Sequence, residues 1–95
     1  MEVEKMLDEI VASLEELAED TSVPRNIRRG AKEASTNWLG NSSKPFDVRI
    51  FTVINILEEL ADDPNIPMHA RTQIYGIISN LERVNQLQKN KKWEN

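Results

Sequence analysis

The chain has 95 residues, which suffices for one domain with a modest core. Apolar residues make up 39% and charged residues 29%, a balance typical of a folded globular protein. The lack of cysteine excludes disulfides, thiol nucleophiles and cysteine-ligated metals, and the single histidine excludes most histidine-based active sites. No apolar run approaches the roughly 20 residues of a spanning helix, and the acidic start is unlike a signal peptide, so we expect a cytoplasmic protein with no membrane partner.

An internal repeat organises the chain. The segment 14–24 recurs as 57–67, with a period of 43 residues and a shared Leu-Glu-Glu-Leu-Ala sequence. A repeat of this length is one supersecondary unit, which needs a neighbour to cover its apolar side. The repeat therefore predicts a single helical domain made of two homologous hairpins. The predicted domain is 1–95, with hairpins at about 2–39 and 45–87 and a flexible tail at 88–95.

Helical periodicity runs through both copies of the repeat. Apolar residues recur every three or four positions along four stretches, and prolines fall where helices should begin. Ser22 and Asn65 suit side-chain caps, and Gly40 suits a left-handed C-terminal cap. Because the connections are short, consecutive helices should be antiparallel, and we predict an all-α, four-helix up-and-down bundle. The predicted helices are 2–19, 24–39, 45–61 and 66–87.

Charge is divided between the predicted helices. Residues 1–20 carry eight acids against one lysine, whereas the second helix carries a group of cations. We define this group as the cationic patch, which consists of Arg25, Arg28, Arg29 and Lys32. In one interpretation, Arg28 and its repeat equivalent Arg71 are structural clamps that pair with acids across the turns. In the other, the patch binds phosphate or an acidic partner.

Catalytic and metal-binding motifs are missing from the sequence. It contains no glycine-rich phosphate loop and no Glu-x-x-His motif of the di-iron bundles. His69 is expected to be exposed or to cap a helix, and adjacent helical carboxylates point about 100° apart, which does not suit a catalytic pair. We therefore predict that the protein is not an enzyme and has no catalytic, cofactor-binding or metal-binding residues.

Apolar stripes on the first and third helices are wider than a small four-helix core needs. The excess favours protein–protein interaction or self-association, including a homodimer, through a docking face of Val11, Phe51 and Ile54. The alternative is an accessory role on RNA or a ribonucleoprotein through the cationic patch, although the overall net charge of −4 opposes RNA binding. Trp38 and Tyr75 are expected to belong to the core or its edge.

Two resemblances accompany these patterns. The segment 63–74 resembles a HEAT-type repeat, in which an Asp-Pro turn precedes an arginine and an apolar position. The longer stretch from about 14 to 81 resembles a family of small archaeal proteins that carries an uncharacterised-protein-family label, most specifically at 19–29 and 65–74. This second resemblance implies an archaeal cytosolic helical bundle and supplies no catalytic residues.

Overall fold

A computed structural model describes residues 2–94 of the chain and the surroundings of the side chains of residues 2–89. Over this range the fold is all-helical, as predicted. The helices are α1 (Glu2–Ala18), α2 (Arg25–Glu33), α3 (Phe46–Ala61) and α4 (Met68–Glu94). A π-helical segment, Ala34–Leu39, continues α2 and is called the π segment below. The first hairpin comprises α1, α2 and the π segment, and the second comprises α3 and α4.

The packing of the helices confirms the predicted four-helix bundle. α1 packs against α2 and α4, while α3 packs against α4 and the π segment. Each helix buries one stripe because its apolar residues recur every three or four positions. The repeat-equivalent residues Leu14 and Leu57 are both fully buried, so α1 and α3 each contribute the same leucine to the core.

α4 is longer than predicted, ending at Glu94 instead of residue 87. No proline or glycine follows Gly76, and glutamine and lysine are good helix formers, so the sequence contains nothing that stops the helix. With 27 residues, α4 is about 40 Å long and sets the 45 Å axis of the bundle. The predicted tail is helical as far as Glu94, and Asn95 lies outside the described residues. Among the described helices, none has both the length and the apolar character needed to cross a membrane.

The end of the second predicted helix differs from an α-helix. The backbone N–H of Gly40 donates to the carbonyl of Ser35, five residues earlier, at 2.9 Å. The run 35–37 is Ser-Thr-Asn, which has a weak α-helical preference, and Arg49 Nε donates to the carbonyl of Trp38 at 3.0 Å. Gly40 has a φ of −82°, so the predicted left-handed cap is wrong.

The three connections share one turn geometry that replaces the predicted caps. In each, a side-chain oxygen accepts a hydrogen bond from the backbone N–H two residues later, at 2.8 to 3.1 Å. A proline follows two residues after that donor and leads into the next helix. Ser22 and Asn65, predicted as caps, are therefore the donors of such turns. The accepting residues are Asp20, Asn41 and Asp63.

Candidate functional site

The turns of the two hairpins bind each other's helices at one end of the bundle. Asp20 Oδ2 lies 2.9 Å from Nε2 of His69 on α4, and Asp63 Oδ2 accepts a hydrogen bond from Asn26 Nδ2 on α2 at 2.7 Å. His69 is the repeat equivalent of Asn26, and Asp63 that of Asp20, so the two contacts are related by the internal repeat. The contacts form a reciprocal joint between the hairpins, and neither helical periodicity nor charge pattern predicts it.

Hydrogen bonds lower the pKa of both joint carboxyl groups. Ser22 Oγ, at 2.6 Å, is the main cause for Asp20, followed by His69, and together with the Ser22 N–H they lower the pKa of Asp20 from 3.8 to about 2. The backbone N–H of Asn65, followed by the Asn26 side chain, lowers the pKa of Asp63. Carboxylates with a lowered pKa are weak proton acceptors. The joint is therefore better suited to stabilising the fold than to acid–base catalysis.

The predicted arginine clamps contact backbone carbonyls instead of acids. Arg28 Nε donates to the carbonyl of Val23 at 3.0 Å, and Arg71 Nε donates to the carbonyl of Ala61 at 3.1 Å. The predicted pairing of these arginines with acids is wrong. Ala61 is the last residue of α3, where a carbonyl lacks an intrahelical partner and a cation favours the negative end of the helix dipole. Val23 lies in the connection between α1 and α2, so Arg28 satisfies a loop carbonyl. Among the described side chains, Glu2 and Arg83 form an ion pair at 3.8 Å, and Asp20 contacts His69.

The structure brings all four residues of the cationic patch to one groove between α1 and α2. Their spacing along α2 places them on one helix face, and the groove has a volume of about 360 Å³. Arg25, Arg29 and Lys32 are exposed, and none of the three forms an ion pair within the described part of the chain. The α1 side of the groove consists of Glu15, Ala18 and Glu19.

The predicted apolar docking face is not one exposed surface. Ile54 is only 9% exposed and belongs to the core, so its assignment to a docking face is wrong. Val11, its repeat equivalent, is half-buried against the core. Phe51 is 51% exposed, and Val48, three residues earlier on the same side of α3, is 45% exposed. The exposed apolar pair on α3 is therefore Val48 with Phe51.

Large apolar side chains are exposed at four of the described positions, all in the second hairpin. We call these four the apolar positions: Val48, Phe51, Met68 and Tyr75. Their repeat equivalents in the first hairpin are all charged, namely Lys5, Asp8, Arg25 and Lys32. Tyr75, expected in the core or at its edge, is 53% exposed. Helical periodicity alone did not reveal this set, whereas aligning the two repeats position by position would have done so.

No cluster of three or more acidic or histidine side chains able to hold a metal ion lies within the described part of the chain. A second depression, also about 360 Å³, adjoins the groove and shares Arg29 and Lys32 with it. Two features of the described surface are distinguished by their charge or apolar character. One is the cationic groove of the first hairpin, and the other is the set of apolar positions on the second.

Comparison with known sequences relates the chain to archaeal proteins. Residues 1–84 match the profile of UPF0147, described as an uncharacterised protein family. A UPF0147 protein of Methanocaldococcus jannaschii is 47% identical over 81 residues, which cover 85% of this chain and 86% of that protein. A UPF0147 protein of Thermoplasma volcanium is 42% identical over 79 residues, covering 83% and 88% of the two chains.

Solved structures share the fold. The crystal structure of a UPF0147 protein from Thermoplasma acidophilum has a TM-score of 0.84 and 38% identity, covering 88% of this chain and 99% of its own. The crystal structure of a protein of unknown function, MMP1188, has a TM-score of 0.76 and 49% identity, covering 81% and 86%. The HEAT-type likeness stays a prediction. The resemblance to an uncharacterised archaeal family is confirmed, and the chain belongs to family UPF0147.

Proposed function

We propose that the chain is a non-enzymatic protein-interaction module that docks a partner on the apolar positions of the second hairpin. One observation carries the proposal: the four exposed large apolar residues occupy positions where the first hairpin carries charges. The first hairpin demonstrates that this helical repeat accommodates charged residues at those places. Folding therefore does not require the apolar residues, and binding to a partner is a reason for their presence.

Val48 and Phe51 are the core of the proposed docking surface. They lie one turn apart on α3 and are 45% and 51% exposed, so a partner can cover both at once. Aromatic side chains bury a large apolar area and carry much of the energy of protein interfaces. A second copy of the chain is one partner that fits, because a two-fold axis would bring the same pair from each copy together.

The test replaces the pair with its first-hairpin equivalents. The variant V48K/F51D introduces the residue types found at Lys5 and Asp8 and leaves the net charge unchanged. Wild type and variant are immobilised, exposed to lysate of an archaeal host with and without ribonuclease, and the retained proteins are identified by mass spectrometry. We expect V48K/F51D to lose proteins that wild type retains after ribonuclease treatment.

A matched control places the same two residue types on the first hairpin. The variant A12K/T36D changes two exposed positions, again without changing net charge, and it should retain the wild-type partners. Sedimentation equilibrium of the purified proteins tests self-association in parallel, since a wild-type dimer should become a monomer in V48K/F51D. If wild type and V48K/F51D retain the same proteins and have the same mass in solution, the proposal is contradicted.

An accessory role on RNA or a ribonucleoprotein is the second candidate function. It is supported by the cationic patch, in which Arg25 and Arg29 are exposed and form no ion pair with the described side chains. The net charge of −4 opposes the approach of a phosphate backbone. Partners that are lost on ribonuclease treatment, and also lost from R25E/R29E without ribonuclease, would favour this function over protein docking.

A further inference from the structure

The internal repeat separates a structural arginine from the other cations of α2. Arg28 has an arginine as its equivalent, Arg71, and both donate to backbone carbonyls. The other three patch positions correspond to Met68, Thr72 and Tyr75, which carry no charge. Because the second hairpin forms the same two-helix unit without cations at these places, folding does not require the cations in the first hairpin.

These three cations are unfavourable for the isolated chain. Arg25 and Arg29 are four residues apart, and Arg29 and Lys32 are three apart, so like charges are neighbours on one helix face. Arg25 is also the first residue of α2, where a positive charge opposes the helix dipole. Glu15 and Glu19 line the same groove but form no ion pair with these cations, so a bound anion would relieve the repulsion further.

The opposite wall of the groove indicates the class of ligand. Glu15 and Ala18 lie on α1 and Glu19 directly follows it, so the groove has carboxylates and an apolar spot facing its cations. A phosphate backbone carries a charge at every nucleotide and would meet these carboxylates. A peptide can instead place separate carboxylates on the α2 side and an apolar side chain over Ala18.

We propose that the groove between α1 and α2 binds an acidic segment of another protein, with Asp or Glu side chains of that segment pairing with Arg25, Arg29 and Lys32. Arginine guanidinium groups suit this role because they bind carboxylates through two parallel hydrogen bonds. The inference does not depend on the apolar positions, which lie on the other hairpin. The two surfaces can therefore be tested separately.

The test measures binding of a fluorescent peptide to the purified chain by anisotropy. The probe is a 12-residue peptide of alternating glutamate and alanine, and a 12-nucleotide single-stranded RNA serves as the competing ligand class. The groove variant R25M/R29T/K32Y carries the residue types of the second hairpin, and K5Q/K44Q/K89Q removes three cations elsewhere. We expect peptide affinity to fall about tenfold in the groove variant, to stay near wild type in the control, and to weaken with added salt.

Several outcomes would overturn the inference. Equal losses in the groove variant and the control would indicate attraction by net charge alone. RNA binding that is tighter than peptide binding and is lost in the groove variant would assign the groove to RNA. The inference also fails if wild type does not bind the peptide.

A measurement on wild type alone tests the inference even if the variants misfold. In ¹⁵N-labelled protein, the peptide should shift the amide signals of residues 15–19 and 25–32 more than those of α3 and α4. Shifts confined to the second hairpin would overturn the inference. V48K/F51D should bind the peptide as wild type does, so failure of the groove and failure of the apolar docking surface are distinguishable.

Discussion

Leu14 in the first hairpin and Leu57 in the second are both fully buried, whereas the exposed positions of the two hairpins differ in chemistry. Arg25 and Met68 occupy equivalent places at the start of α2 and α4, yet one is charged and the other is apolar and 77% exposed. Lys32 and Tyr75 differ in the same manner. The positions that are buried in both hairpins stay uncharged, although their sizes differ, as Ala31 and Ile74 show, while the exposed positions are free to serve binding. Comparing equivalent positions of the two hairpins therefore distinguishes residues needed for folding from residues available for binding.

The largest effect should come from shortening equivalent core residues. Leu14→Ala and Leu57→Ala each leave a cavity among fully buried side chains, and each should lower the free energy of unfolding by about 2–5 kcal/mol. Urea denaturation followed by circular dichroism measures both. If one substitution were tolerated while the other unfolded the protein, the two hairpins would not share the core equally.

A smaller effect separates the structural arginines from the remaining cations. Arg28→Met and Arg71→Met each remove a hydrogen bond to a backbone carbonyl and should cost about 1 kcal/mol. Arg29→Thr, which introduces the residue type of Thr72, should change stability by less than about 0.5 kcal/mol. Urea denaturation under the same conditions compares the three. A loss for Arg29→Thr as large as that for Arg28→Met would give Arg29 a structural role.

Gly76 offers a gain in stability on the second hairpin. It lies exposed within α4, a Cβ there would meet nothing within 4 Å, and its repeat equivalent is Glu33. Gly76→Ala should therefore raise the free energy of unfolding by about 0.5–1 kcal/mol, because alanine loses less backbone entropy in a helix. Thermal denaturation measures the change. A lower melting temperature would show that the glycine has a packing role.

The reciprocal joint should make stability depend on acid pH. The pKa of Asp20 is about 2 in the folded chain against 3.8 for the free group, so its ionised form stabilises the fold above pH 3.8. That contribution is lost as pH falls from 3.8 towards 2, and Asp63 acts in the same direction. The urea midpoint of wild type should fall across this window more steeply than that of D20N.

Ser22→Ala provides a second variant for the joint. It removes the hydroxyl that is the main cause of the low pKa of Asp20, while leaving the carboxylate in place. Its urea midpoint should fall less steeply with pH than that of wild type and more steeply than that of D20N. Identical slopes for the three proteins would contradict a stabilising joint at Asp20.

The helices could be predicted because helical periodicity is a local property of the sequence, and the hairpins could be predicted because the sequence repeats. Helical periodicity depends on residues three and four apart, and the repeat of 43 residues gave the two hairpins directly. The clustering of the cationic patch could also be predicted, since Arg25, Arg28, Arg29 and Lys32 lie on one face of one helix. The end of α4 was misplaced because glutamine and lysine near the C-terminus neither stop a helix nor form an apolar stripe.

The parts that escaped prediction depend on the packing of distant segments. Asp20 and His69 are 49 residues apart, and their contact exists only because the bundle brings the two turns together. Arg28 and Arg71 were predicted to pair with acids because acidic side chains can be identified in a sequence. The backbone carbonyls of Val23 and Ala61, to which the arginines donate, can be identified as acceptors only in the structure. Ile54 was predicted to lie on a docking face because a wide apolar stripe in the sequence does not show which of its residues the neighbouring helices bury.

The most direct measurement is the free energy of unfolding of V48K/F51D/M68R/Y75K, in which the four apolar positions receive the residue types of the first hairpin. If these residues serve binding and not folding, the variant should unfold cooperatively with a stability within about 2 kcal/mol of wild type. A loss above about 4 kcal/mol, comparable to that expected for Leu14→Ala, would contradict this assignment and place the apolar positions in the structure itself.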